Sequence, residues 1–372
     1  MPRPFTRLDH PSALVRHFIP GWFAVTMGTG VLALVLGNLP GPLVALRPLG
    51  EVVWALDLVL FLAFSLLFIG RLVAFPETVG PMLAHPVQSM FLGAIPMGLA
   101  TLINGLVLYG GPRWGEAAYA LAHGLWWLDM LLALGSALLV PYLMFTHQRH
   151  ALESLTAVWL LPIVAPEVAA ASAGVLAPHL APELARPLLV SGYLLWGLSL
   201  TLAFSLITLV LLRLALHKLP DTAFAATSWL PLGPLATGCL GLMTLGHAAP
   251  AAFAGTPLEG LGSLAPAAGL MGAFVLWGAG FWWLVIALLF TLHYRRQRMA
   301  FNLGWWGFTF PLGVFALASL ELQRQTDMVA FGGFGLLLAA GLTLVWVLVM
   351  RRTLAGLWHG ELFRAPCLSS PA

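Results

Sequence analysis

Residues 86–109 read Pro-Val-Gln-Ser-Met-Phe-Leu-Gly-Ala-Ile-Pro-Met-Gly-Leu-Ala-Thr-Leu-Ile-Asn-Gly-Leu-Val-Leu-Tyr, with no charged side chain. A helix needs about 20 such residues to cross a hydrocarbon layer of ~30 Å. The run also carries a proline, Pro96, inside it. Both features recur along the chain, and together they decide the fold. Nine further apolar runs lie at 17–39, 50–74, 117–145, 154–176, 185–216, 227–248, 265–293, 303–322 and 331–354. They are too long for barrel strands and do not alternate. Composition agrees: of 372 residues, 60% are hydrophobic and 8% charged, against roughly 25% charged in a soluble domain. A soluble globular chain and a disordered one are both excluded. What remains is an all-α integral membrane protein with ten transmembrane helices.

Proline marks alternate spans. Span 1 holds Ile19-Pro20-Gly21-Trp22, span 3 Ile95-Pro96-Met97-Gly98 and span 5 Leu161-Pro162-Ile163-Val164, followed by Pro166. Span 7 holds Leu230-Pro231-Leu232-Gly233 and span 9 Phe310-Pro311-Leu312-Gly313. The separations are 76, 66, 69 and 80 residues, each about one helical hairpin. Even spans lack proline in their middles; Pro141 and Pro266 lie near the ends of spans 4 and 8. A proline in a membrane helix frees a carbonyl and bends the chain. Freed backbone is tolerated at depth only beside protein or water. The rhythm therefore predicts five hairpins in a quasi-fivefold arrangement, with kinked odd helices inside around a central pore and smooth even helices facing lipid. Gly28, Thr29 and Gly30 in span 1, and Gly98 and Gly233, fit the inner set, since glycine either lets helices pack closely or widens a lumen.

The joins, such as Asn38-Leu-Pro40-Gly41 and Gly110-Gly111-Pro112-Arg113, are turns and not linkers, so one domain is expected over 17–354. Residues 1–16 and 355–372 are tails, and nothing before residue 17 reads as a removable signal peptide. Placing both termini in the cytoplasm puts 13 of the 17 basic residues inside: Arg3, Arg7, Arg16, Arg71, Arg149, Arg213, Lys218, Arg295, Arg296, Arg298, Arg351, Arg352 and Arg364. Arg47, Arg113, Arg186 and Arg324 fall outside. That bias sets the orientation. Net charge is only +3, so nucleic acid is not an expected partner; the lipid bilayer is.

Three stretches carry a family resemblance. His17-Phe-Ile-Pro20-Gly-Trp22-Phe23-Ala-Val-Thr-Met27-Gly28-Thr29-Gly30 resembles the first helix of the tellurite-resistance/dicarboxylate transporter family. That family includes plant slow anion channels, yeast malate permeases and fungal sulfite efflux pumps. His85-Pro86-Val-Gln88-Ser89-Met90 through Gly98 resembles its third helix, and Trp305-Trp306-Gly307-Phe308-Thr309-Phe310-Pro311 its ninth. The likeness spans roughly 17–354 and is nearest the malate and sulfite branch. It implies five hairpins around a pore, a homotrimer with one pore per subunit, passage of small anions such as sulfite or C4-dicarboxylates, and an aromatic plug on helix nine. By motif that plug is Phe310. Plant members are regulated through long soluble tails, which are short here.

From the residues alone, Phe310 reads sooner as a packing aromatic than as a gate, and it is the resemblance that reverses the order. Glu167, after Pro166, is an ionisable group at membrane depth and so a candidate for carrying a proton with the anion. Asp57 and Asp129 on even spans are expected to pair across helices. All 17 basic residues fall at or near span ends, so no buried cation is expected to hold substrate. Weaker attractors remain: the basic rim, and the hydroxyls of Thr26, Thr29, Thr101, Thr237 and Thr309. His17, His85 and His247 read as caps or as proton-sensitive rim groups. Gln88, Ser89 and Asn104 read as interhelical hydrogen bonders or lumen liners, and the tryptophan pairs at 126–127, 282–283 and 305–306 as belt or packing residues.

Other classes find little. There is no His-Glu-x-x-His, nucleophile-elbow or phosphate-loop motif. His147-Gln-Arg-His150 lacks carboxylate support, and two cysteines, Cys239 and Cys367, make no disulfide framework or thiolate metal site. No enzyme, cofactor or metal is expected. The reading is an anion channel or secondary carrier of a bacterial-type inner membrane, multi-pass, with both termini cytoplasmic. The alternatives are a proton-coupled carrier using Glu167 and a redox or structural membrane subunit, for which His123 and His247 would be the haem ligands.

Overall fold

The computed structural model describes residues 10–297 and 299–369. Arg3, Arg7 and Arg298 of the charge count lie outside them. Ten helices are long and apolar enough to span a membrane. The α-helical parts are α1 (Phe23–Gly37), α2 (Arg47–Ala74), α3 (Ala94–Gly105), α4 (Glu116–Thr146) and α5 (Leu160–Leu176). They continue as α6 (Pro182–His217), α7 (Leu232–Phe253), α8 (Glu259–Arg295), α9 (Thr309–Thr326) and α10 (Val329–His359).

Odd and even helices behave differently. The odd spans are 72–94% buried, the even ones 28–33%. The odd helices contact one another in sequence: α1 packs on α3, α3 on α5, α5 on α7, α7 on α9, and α9 back on α1. Each even helix packs on its own odd partner and on the next odd helix, with α10 reaching α1. The even helices turn Leu and Val outward (Leu66, Val73, Leu194, Val275, Leu344) and keep Asp57, Arg71, Asp129 and Arg213 inward. In α2 the buried stripe is Asp57, Phe61, Phe64, Phe68 and Arg71, spaced at three and four residues so that it forms one face. A charge in contact with lipid costs several kcal/mol, so this inversion of the soluble pattern is expected in a membrane.

One tryptophan per even helix ties the rim to the ring. The indole Nε1 of Trp54 donates to the Leu102 carbonyl at 3.3 Å, Trp126 to Ala169 at 2.8 Å and Trp196 to Gly238 at 3.1 Å. Trp277 donates to Ser319 Oγ at 2.9 Å and Trp346 to Thr29 Oγ1 at 3.2 Å. Each bond runs from an even helix to the next odd one. Trp126 is thus a buried strut and not a belt residue, as are Trp283, donating to Ser228, and Trp306, donating to Thr353. Trp282 is exposed, and Trp305 lies under the Arg352 guanidinium.

The prolines act differently from a mid-helix kink. Each odd helix is opened by a 3-10 segment: Pro20–Trp22, Ser89–Gly93, Ala157–Trp159, Thr222–Trp229 and Leu303–Phe308. Pro96, Pro162 and Pro311 are the third residues of α3, α5 and α9; Pro231 directly precedes α7, and Pro20 opens its 3-10 segment. In a first turn the N–H has no intrahelical acceptor, so proline is tolerated there. The break is a change of helix type at one end of the span. Pro250 lies inside α7 near its end, and Pro166 is interior to α5. Pro166 has no N–H for the Pro162 carbonyl, and the next carbonyl, Ile163, instead accepts from Ser199 Oγ at 2.7 Å.

Candidate functional site

Three cavities follow the odd helices. An outer chamber of about 370 Å³ is bordered by Leu34, Asn104, Val175, Leu240 and Leu317, one from each odd span. Arg47, Arg324, Asn38, Thr244 and Glu321 also face it. A second, far smaller cavity of about 40 Å³ lies toward the other end, bordered by Met27, Met97, Val164, Gly233 and Phe310, again one from each odd span. A third, of about 250 Å³, is bordered by Arg149, His150, Glu153, Arg213 and Asp221, and shares Val158 with the small one.

The small cavity is the tightest of the three. Its lining is almost wholly apolar, with Leu161, Leu230, Phe91 and Pro311 beside those named. Its volume suits a water or two, far less than a hydrated anion. Phe310, 5% exposed, is the second residue of α9 and stands in the turn that Pro311 shapes. The 3-10 opening of α9 is fixed by Asn302, whose Oδ1 accepts from Gly304 N at 2.8 Å.

Of the residues the sequence nominated, Phe310, Pro311 and Gly233 border this cavity. A Cβ on Gly233 would find only Pro311 Cγ, at 4.0 Å, so this glycine widens the lumen. Gly28, Gly30 and Gly98 instead permit close packing: a Cβ there would overlap Thr309, Thr101 and, at 2.5 Å, Thr26. Pro20, Pro96, Pro162 and Pro166 shape helices outside the lining. Thr29 accepts from Trp346, and Thr309 donates to the Trp306 carbonyl at 2.7 Å.

The buried carboxyls sit at helix seams. Glu167 Oε2 accepts from Ser199 Oγ of α6 at 3.3 Å, and its Oε1, beside Gly238 of α7, has no partner. Glu167 borders none of the three cavities. Asp57 Oδ2 accepts from Thr101 of α3 at 3.2 Å, the expected cross-helix bond. Asp129 departs from expectation: neither oxygen has a partner. His123 does not reach it and accepts from Trp127 at 3.0 Å.

Two arginines, Arg71 and Arg213, lie near span ends as expected but are buried there. Both lie in the last turns of their helices with their N–H groups on carbonyl oxygens. Arg71 donates to Phe18 O and Thr78 O, Arg213 to Glu153 O and Lys218 O. Neither borders the small cavity. At the wet ends, His85 Nδ1 accepts from the Val87 and Gln88 amides, and burial lowers its pKa. His17 Nδ1 accepts from Ala365 N, while His247 is exposed. His150 stacks edge-on to Trp159, and burial lowers its pKa too, so it is neutral at pH 7. Ser89 accepts from Gln148, Asn104 faces the outer chamber with a partnerless Oδ1, and Gln88 Oε1 is likewise unmet. Among the described residues no three His, Cys, Asp or Glu side chains converge as metal ligands.

The sequence did not single out Met27, Met97, Val164 or the Arg47–Arg324 pair. In a chain this apolar, a side chain facing a lumen looks like one facing a neighbour. The helical step of seven from Met27 to Leu34, Met97 to Asn104 and Phe310 to Leu317 was the available signal.

Comparison with known proteins gives a consistent result. The chain is 40% identical to the sulfite efflux pump of Arthroderma benhamiae over 94% of its own length and 93% of that protein's. It matches the sulfite efflux pump of Trichophyton rubrum to the same extent. It is 25% identical to the malic acid transport protein of Schizosaccharomyces pombe, covering 91% of this chain and 78% of that one. These relatives lie in the malate and sulfite branch of an anion-transport family. Residues 17–354, the whole ten-helix body, match the family described as voltage-dependent anion channel, and the chain belongs to that family.

Proposed function

We propose that the chain is a channel for small anions, sulfite foremost, through an axial pore closed at Phe310. The carrying observation is that the 370 Å³ chamber and the small apolar cavity, which forms the constriction, are each bordered by all five odd spans. An anion crosses such a barrier only when the constriction widens and wets. The 250 Å³ chamber, with Arg149 and Arg213, would be the cytoplasmic mouth, matching the basic bias that puts both termini inside an inner membrane. Sulfite is favoured over malate because the sulfite pumps of Arthroderma and Trichophyton match at 40% identity over 93% of their length, against 25% over 78% for the malic acid transport protein. A flux panel of chloride, nitrate, sulfite, malate and succinate in proteoliposomes tests this. Sulfite is expected to lead; no anion flux from folded protein would overturn the reading. We also propose a homotrimer with one pore per subunit, testable by crosslinking in membranes.

The outer chamber supplies a second test. Arg324 is held by Glu321 at 3.1 Å and by Asn38, and Arg47 by the Leu108 carbonyl at 2.7 Å. Two guanidiniums against one carboxylate leave a positive field at a low-dielectric mouth. Replacing both arginines by Gln is expected to lower anion flux about three- to tenfold at low ionic strength. The deficit should shrink at high salt, where the field is screened. A salt-independent deficit would assign these arginines to structure.

Glu167 decides between channel and proton-coupled carrier. It lies at a helix seam away from all three cavities. Glu167→Gln is expected to leave the pH dependence of flux unchanged; a shifted profile would favour the coupled carrier.

A further inference from the structure

Helical register places five residues at the level between the small cavity and the outer chamber. Each is four residues beyond a lining residue of the small cavity on its odd span. These are Val31 (after Met27), Thr101 (after Met97), Val168 (after Val164), Thr237 (after Gly233) and Val314 (after Phe310). On four of the spans the outer-chamber residue comes three later: Leu34, Asn104, Leu240 and Leu317. A four-then-three step keeps all of these on one helix face. All five layer residues are at most 5% exposed.

Three of the five are valine and two are threonine. The Thr101 hydroxyl is turned to protein, 2.8 Å from the Gly98 carbonyl and 3.2 Å from Asp57. Those of Thr26 and Thr309 likewise donate to carbonyls three residues back, and Thr29 accepts from Trp346. Thr237 stands apart: its Oγ1 is buried, 1% exposed, with no hydrogen-bond partner. A buried hydroxyl left unpaired costs about as much as a lost hydrogen bond. Here it stands on the face of α7 that borders both cavities.

We propose that the Thr237 hydroxyl is a mid-membrane contact for the oxyanion in transit, donating its hydrogen to an oxygen of a sulfite-class anion as that anion crosses the dry layer. This rests on the anion-channel reading above and adds to it the residue that sets passage of oxyanions. An anion entering a layer of valines sheds water on every side. One hydroxyl donor offsets part of that loss without a cation, which would bind too tightly for release. The geometry gives the site one donor, so it lowers a barrier and does not trap the ion.

Thr237→Val is the test, because valine has threonine's shape and already fills three positions of the layer. In proteoliposomes, normalised to incorporated protein, Thr237→Val is expected to lower sulfite flux roughly tenfold. Thr237→Ser, which keeps the hydroxyl, should retain most of it. Wild-type flux from folded Thr237→Val would overturn the proposal. So would an equal loss in Thr237→Ser, because the hydroxyl would then not be the cause. No flux from the unsubstituted protein would instead overturn the channel reading, and this contact with it.

Discussion

Phe310→Ala is expected to raise anion flux in proteoliposomes by an order of magnitude or more. The reason lies in how little space the constriction has. Its cavity is about 40 Å³ and its lining almost wholly apolar. Water enters such a gap reluctantly, and an anion cannot pass without water or polar substitutes. Removing the ring joins its volume to the cavity, toward a size in which a hydrated column is stable. The ring also packs, so truncation carries a stability cost; in soluble cores Phe→Ala costs about 3–5 kcal/mol. Phe310→Leu separates the two effects: it restores most of the packing and should give an intermediate flux. Folded Phe310→Ala with unchanged or lower flux would remove Phe310 from the gate and leave it a core aromatic.

The ten spans were legible because a bilayer demands length and apolarity, and both can be read directly from sequence. The odd–even division was legible because proline recurs at hairpin spacing. The mechanism of the break was not. Proline at residue 96 or 311 reads the same whether it kinks a helix or begins one, and only the preceding 3-10 segment decides. The tryptophan struts at 54, 126, 196, 277 and 346 recur as regularly as the prolines, at 72, 70, 81 and 69 residues. They were hidden among 15 tryptophans, a residue that membrane proteins usually place in the interfacial belt. The candidate site was legible in part. Phe310, Pro311 and Gly233 meet at one cavity. Glu167 does not, because it points from α5 toward α6 and α7, and a single residue's helical phase cannot be fixed where every face is apolar. The five threonines looked alike in sequence; side-chain rotation, visible only in the structure, leaves Thr237 alone unpaired among them.

Arg71→Met is expected to be strongly destabilising, lowering stability by about 3 kcal/mol or more. Arg71 is fully buried near the end of α2. Its Nη1 donates to the Phe18 carbonyl at 2.8 Å, its Nε to Thr78 Oγ1 at 2.9 Å and its Nη2 to the Thr78 carbonyl at 3.3 Å. One guanidinium therefore joins the segment before α1, the end of α2 and the turn after it. Methionine matches the stem but gives no donor, so the buried acceptors lose their partners, each costing about 1–3 kcal/mol. Lysine keeps the charge but cannot fork among acceptors lying in different directions, so Arg71→Lys should fall between. Thermal unfolding in detergent measures both. If Arg71→Met melted with the wild type, the guanidinium would not be holding these segments together. A loss of flux without a loss of stability would point instead to a direct electrostatic role at this end of the protein.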